Sequence, residues 1–141
     1  MFEGPFGSQL FIFNKNLHKY LNDNVLKYDL NYIQMLFLIR IDKFSNVSQK
    51  DLADIFFLTK GYVAKSIKDL ENKGFIIRSK GLEDKRQYKM QLTEKALNLI
   101  PEFKKINSAW EEKMGLNEIN DEFFDTFKKL TRKSIELNED D

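Results

Sequence analysis

Cysteine is absent from this 141-residue chain, and histidine occurs once, as His18. The first absence removes disulfides, thiolate zinc sites and thiol redox sensing. The second leaves a catalytic or metal-sensing zinc centre with too few nitrogen ligands. No nucleophile sits with an obvious base and no carboxylate pair stands out, so an enzyme is not expected and no cofactor is called for. Apolar runs are short. None reaches eighteen residues, so no membrane-spanning helix is expected. The N-terminus lacks a basic segment followed by an apolar one and a cleavage site, which points to a cytoplasmic protein. Two prolines and six glycines nowhere form a linker long enough to divide domains, and there is no internal repeat. At this length the expectation is one domain spanning 1–141.

What the chain has is aromatic bulk, with thirteen Phe beside 32% charged residues. Its periodicities are mostly helical. Ser8 to Leu26 carries Leu10, Phe13, Leu17 and Leu21 on one stripe, after a turn at Gly4-Pro5. Asn31 and Gln34 have capping-box spacing ahead of Ile33, Leu36, Phe37 and Ile41, an apolar helix ending near Lys43. Ser48 and Asp51 repeat that spacing, and Leu52, Ile55 and Phe56 follow at i, i+3, i+4. Leu58 ends this helix and Thr59 offers a fresh N-cap hydroxyl. Val63, Ile67 and Leu70 predict the buried stripe of a second helix, which Gly74 stops by adopting the left-handed conformation cheaply. Phe75-Ile76-Ile77 reads as a strand, and Tyr88, Met90 and Leu92 alternate with polar residues as in a half-buried strand. The polar stretch from Lys80 to Gln87 between them is long enough to project.

Helix, turn, basic helix, hairpin is the element order of a winged helix. The expected fold class is mainly α with a small β-hairpin wing: a winged helix-turn-helix core at about 31–96, flanked by helical regions at about 1–28 and 97–141. After Thr93 a seam of Ala96, Ile100, Phe103, Asn107, Trp110 and Met114 is kinked at Pro101, Gly115 breaks it, and a last helix from about Asp121 carries Phe123, Phe127, Leu130 and Leu137. These flanks have more apolar surface than a small winged core can cover, so a homodimer is expected.

Charge is unevenly spread. From Lys60 to Lys89 there are nine bases against four acids, a net +5 within a chain of net +1. From Glu111 to the end there are ten acids against five bases. A basic middle and an acidic tail suit a selective polyanion-binding surface.

The run from Leu58 to Arg78 resembles the recognition helix and first wing strand of the multiple-antibiotic-resistance regulator (MarR) family. Glu83-Asp84-Lys85-Arg86 followed by Leu92-Thr93-Glu94-Lys95 resembles that family's wing signature. The chain departs from the family pattern at Ala64, where threonine is common, at Lys65, where arginine is common, and at Ala96, where glycine is common. Lysine lacks arginine's planar fork, which bears on base readout. The resemblance implies a transcriptional regulator, a repressor acting as a homodimer on a roughly palindromic site in double-stranded DNA. The expected contacts are Ser48, Thr59, Lys60, Gly61, Tyr62, Lys65, Ser66 and Lys68 around the second helix, and Lys80, Asp84, Lys85 and Arg86 on the wing. Arg86 is expected in a narrow minor groove with Asp84 holding its guanidinium. The resemblance also implies a small-molecule effector in a crevice between the dimer helices and the winged core, lined by His18, Tyr32, Met35 and Phe37 with Tyr62 and Ile67 opposite. Winged helices also serve protein–protein assembly, and that use predicts weak DNA binding without site preference.

Overall fold

The computed structural model describes residues 4–80 and 88–139. Among them, α1 (Phe6–Val25) and α2 (Tyr32–Lys43) are followed by α3 (Gln49–Phe56) and α4 (Lys60–Asn72). The hairpin strands β1 (Ile76–Lys80) and β2 (Tyr88–Leu92) come next, then α5 (Glu94–Lys113) and α6 (Asp121–Glu136). The chain forms two compact units, Met1–Asn107 and Ser108–Asp141. The first holds the core. Met35, Phe37 and Leu38 of α2 meet Val63, Ile67 and Leu70 of α4, with Phe75 and Ile76 from the hairpin side and Ala96, Ile100 and Phe103 from α5. The second consists of the end of α5, a 3-10 turn at Leu116–Glu118 after Gly115 (φ 71°), and α6.

Local chemistry sets these boundaries. Both α2 and α3 open with full capping boxes: Asn31 accepts from the Gln34 backbone N–H while Gln34 accepts from that of Asn31, and Ser48 and Asp51 do the same. Each box satisfies two of the amides a helix start leaves orphaned. Gly74, at φ 81°, ends α4, and its neighbour Phe75 donates back to the Leu70 carbonyl at 2.9 Å. Thr93 joins this end to the start of α5. Its Oγ1 donates to the Gly74 carbonyl at 2.7 Å and accepts from the Ala96 N–H at 3.3 Å. The strands pair antiparallel from Ile76↔Leu92 to Lys80↔Tyr88.

Some details go beyond or differ from the sequence reading. Leu21 and Val25 are buried, but Leu10 and Phe13 of the α1 stripe stay exposed. In α3 the inward face is Leu52 and Ala53, and Ile55 points out. Ile77 is 58% exposed because strand alternation turns it to the face opposite Ile76.

The helix before the turn also ends earlier than expected, at Phe56. Phe57 takes the left-handed conformation (φ 55°), and the Leu58 N–H donates to the Ala53 carbonyl at 3.0 Å. An aromatic residue at positive φ is strained, and Phe57 is 70% exposed, so burial offsets none of that strain. Phe57→Gly is therefore expected to stabilise the fold by about 1 kcal/mol. A higher urea midpoint would show it; a lower one would mean that the ring packs in a way its exposure hides.

Candidate nucleic-acid interface

The surface in question is built on α4. Thr59 is its N-cap, with Oγ1 accepting from the Tyr62 N–H at 3.1 Å. Val63, Ile67 and Leu70 are fully buried and fix which side faces inward. Lys60, Gly61, Ala64, Lys65, Lys68 and Asn72 are exposed, and Tyr62 is 39% exposed beside them. Ser66 was expected on this face. It lies instead at the edge of the inward side, 8% exposed, because it directly precedes the core residue Ile67 and falls three residues after Val63. Ser48 is half-buried at the start of α3, its hydroxyl engaged as N-cap. Lys80 closes β1, and its side chain lies outside the described residues, as do Asp84, Lys85 and Arg86.

Pairing divides the basic residues into two sets. Arg78 donates to both carboxylate oxygens of Glu71, at 3.0 and 3.1 Å, and that pairing holds the Glu71 carboxyl below its ordinary pKa. Lys73 lies 2.9 Å from Asp69 and donates to the Asp29 carbonyl at 2.7 Å. The hydrogen bond to Asp69 raises the lysine's pKa. These two cations belong to the scaffold. Lys60, Lys65 and Lys68 make no ion pair with any described residue. These pairs take two bases and two acids from the segment and leave its net charge at +5, with Lys60, Lys65 and Lys68 on the outer face of α4 and the other four bases from Lys80 to Lys89. Gly61, the second residue of α4, lies on this face near the helix start, and a Cβ built there meets nothing within 4 Å.

Of the expected effector-lining residues, Met35, Phe37 and Ile67 have no exposure and belong to the core. A helical aromatic stripe looks the same in sequence whether it lines a pocket or a core. His18 and Tyr32 are half-buried and meet edge to face, ring centroids 5.1 Å apart, and burial raises the Tyr32 pKa. A crevice of about 500 Å³ does run along α4, lined by Asn31, Gln34, Tyr62, Lys65, Ser66, Lys68, Asp69 and Asn72. It shares only Tyr62 with the expected set. Sequence reasoning missed Gln34 and Asp69. The capping role of Gln34 was legible, but its contact with Asp69, 35 residues away, is tertiary.

A family model described as the MarR family matches residues 30–88, the stretch from the α2 cap to the start of β2. The HTH-type transcriptional regulator SarZ of Staphylococcus haemolyticus is 30% identical over 98 residues, covering 70% of this chain and 67% of that protein. The chain belongs to the MarR family. It is a winged helix-turn-helix, DNA-binding transcriptional regulator, and not an enzyme. Another relative in sequence is the HTH-type transcriptional regulator BilQ of Clostridioides difficile, 29% identical over 126 residues, 89% of this chain and 82% of that one. Among solved structures, a MarR transcriptional regulator from Methanosarcina mazei Go1 superposes with a TM-score of 0.82 at 25% identity, over 93% of this chain and 96% of that one. The fold also matches the S. aureus MepR–DNA complex, with a TM-score of 0.84 at 18% identity over 96% and 99% of the two chains. Among the described residues, no helix is long and apolar enough to cross a membrane.

Proposed function

We propose that the protein is a cytoplasmic homodimeric repressor that binds a roughly palindromic site in double-stranded DNA through α4 and the wing, and that a small molecule releases it. One MarR-like domain would span the chain, with 31–96 as the DNA-binding core and 1–28 and 97–141 pairing the copies. The observation that carries this reading is the outer face of α4: three lysines without a described ion pair, with a glycine at the start of the helix. Glycine is a poorer helix former than alanine. Nothing in the chain requires one at Gly61, whereas a DNA backbone approaching closely would. The free amides at the α4 start, by Thr59, Lys60 and Gly61, favour a phosphate. Lys80, Asp84, Lys85 and Arg86 would carry the wing contact. Homodimerisation is supported by the exposed phenylalanines of α1 and α6. A releasing ligand acts only by favouring the DNA-incompetent arrangement of the two copies.

Selecting duplexes from a random pool, then titrating Lys65→Ala, tests the orientation. If Lys65 meets a base edge, the variant loses about 1–3 kcal/mol on the selected site and relaxes preference at one position in each half-site. A uniform loss on all sequences with a shallower salt slope would place Lys65 on phosphate. No change on any duplex would remove α4 from the interface and favour the protein-assembly reading.

A further inference from the structure

Among the described residues only two polar side chains are buried, and Gln34, 3% exposed, is the more deeply so. Its two amide atoms do different jobs. Oε1 accepts from the Asn31 N–H at 3.2 Å and completes the α2 cap, while Nε2 donates to Asp69 Oδ2 on α4 at 2.8 Å. Asp69 is drawn further into the same arrangement by Lys73, whose ammonium also holds the carbonyl of Asp29, a residue at φ 61° between α1 and α2. On the α1 side, Asn22 Oδ1 accepts from the Tyr32 N–H at 2.6 Å, where α2 begins. A polar chain thus runs from α1, through the head of α2, to α4. The hydrogen bond from Gln34 is the foremost reason the Asp69 carboxyl stays below its ordinary pKa.

The remaining contact between α2 and α4 is apolar, through side chains such as Met35, Val63 and Ile67. Burial of this kind is non-directional. Close packing limits large movements of α4, and a directional bond adds a finer constraint on its setting. A hydrogen bond to a carboxylate is short and directional, and it fixes a setting. The setting matters because side chains reach about 5–6 Å from a helix axis. Rotation by roughly 10° shifts their tips by about 1 Å, enough to spoil a hydrogen bond to a base edge. Lys68 is adjacent to Asp69 and Lys65 lies one turn before it. We infer that Gln34 is a positioning residue for DNA recognition: by gripping Asp69, it sets the rotation of α4 and hence which base edges the lysines face. This rests on the proposed reading of α4 as the DNA-contacting helix.

Three variants separate this role from plain stability. Gln34→Glu keeps an acceptor for the α2 cap but sets a second carboxylate against Asp69, so the grip is lost. Combining Gln34→Glu with Asp69→Asn restores a donor–acceptor pair with its direction reversed. Asp69→Ala removes the grip together with the Lys73 ion pair and leaves the cap intact, and it serves as the test should Gln34→Glu fail to fold. The readout is the ratio of affinities for the duplex the parent selects from a random pool and for a scrambled duplex of the same composition. Added or removed charge acts on both duplexes alike and cancels in the ratio. Gln34→Glu and Asp69→Ala should each lower that ratio about tenfold, and the double variant should recover it to within about threefold. An unchanged ratio in both single variants, proportional loss on both duplexes, or failure of the double variant to recover overturns the inference. A parent that prefers no duplex overturns the DNA reading and this inference with it; a discriminating parent with indifferent variants overturns only the positioning role.

Discussion

Removing residues 121–141 should leave a chain that no longer forms a stable dimer and binds its selected duplex at least about a hundredfold more weakly. Helix α6 opens with Asn120 as N-cap, its Oδ1 accepting from the Phe123 N–H at 3.0 Å, and has Asp121 and Glu122 in the first turn. It is a well-signalled helix, yet none of its sixteen residues is buried in the single chain. Phe123, Phe127 and Leu130 are 50%, 41% and 46% exposed at i, i+4, i+7, and the two phenylalanine rings stack 6.1 Å apart. Such a stripe gains stability by covering itself against another surface, since an isolated helix of this length is marginal in water. A second copy of the chain is the proposed cover. Two half-sites bound by one dimer gain about 10²–10⁴ over one half-site bound by a monomer, and the truncated chain forfeits that gain. Sedimentation analysis and a binding titration measure both effects. A soluble truncated dimer with the parent's affinity would sink the assignment of α6.

The winged core was legible because most of its boundaries carry a local signal. Asn31 with Gln34, Ser48 with Asp51, Thr59 and Gly74 act within four residues of themselves, and each does in the structure what its spacing implies. The buried stripe of α4 followed from periodicity alone. What sequence could not supply was anything set by three-dimensional neighbours. Arg78 counted among the bases of the basic segment, but Glu71, seven residues away, pairs with it. Ser66 looked like part of the polar face because it is polar, although its angular position puts it at the core edge. Ile77 belongs to the apolar run that reads as a strand, and a strand buries only alternate residues, so its exposure needed the structure to assign. Phe57 gave no signal at all: nothing about a phenylalanine announces a left-handed turn.

Phe75→Ala should destabilise the fold by about 3–5 kcal/mol, whereas Ile77→Ala, two residues on, should cost less than about 1 kcal/mol. The contrast follows from geometry. Phe75 is 1% exposed and sits where the end of α4, the hairpin and the start of α5 converge. Its N–H donates to the Leu70 carbonyl, its own carbonyl accepts from the Thr93 N–H at 3.1 Å, and the Lys95 ammonium lies 4.3 Å from its ring centroid. Truncation removes a ring from a position the backbone cannot vacate, so the cavity collapses poorly and the cost stands at the upper end of the usual range. Domains of this size have roughly 5–15 kcal/mol in total, so the variant falls near or below the stability threshold. Urea unfolding of both variants measures the difference. DNA binding by Phe75→Ala should then decline only in proportion to the unfolded fraction, because the lysine face of α4 is untouched. A cost below about 1 kcal/mol for Phe75→Ala would mean that the three elements are held together elsewhere.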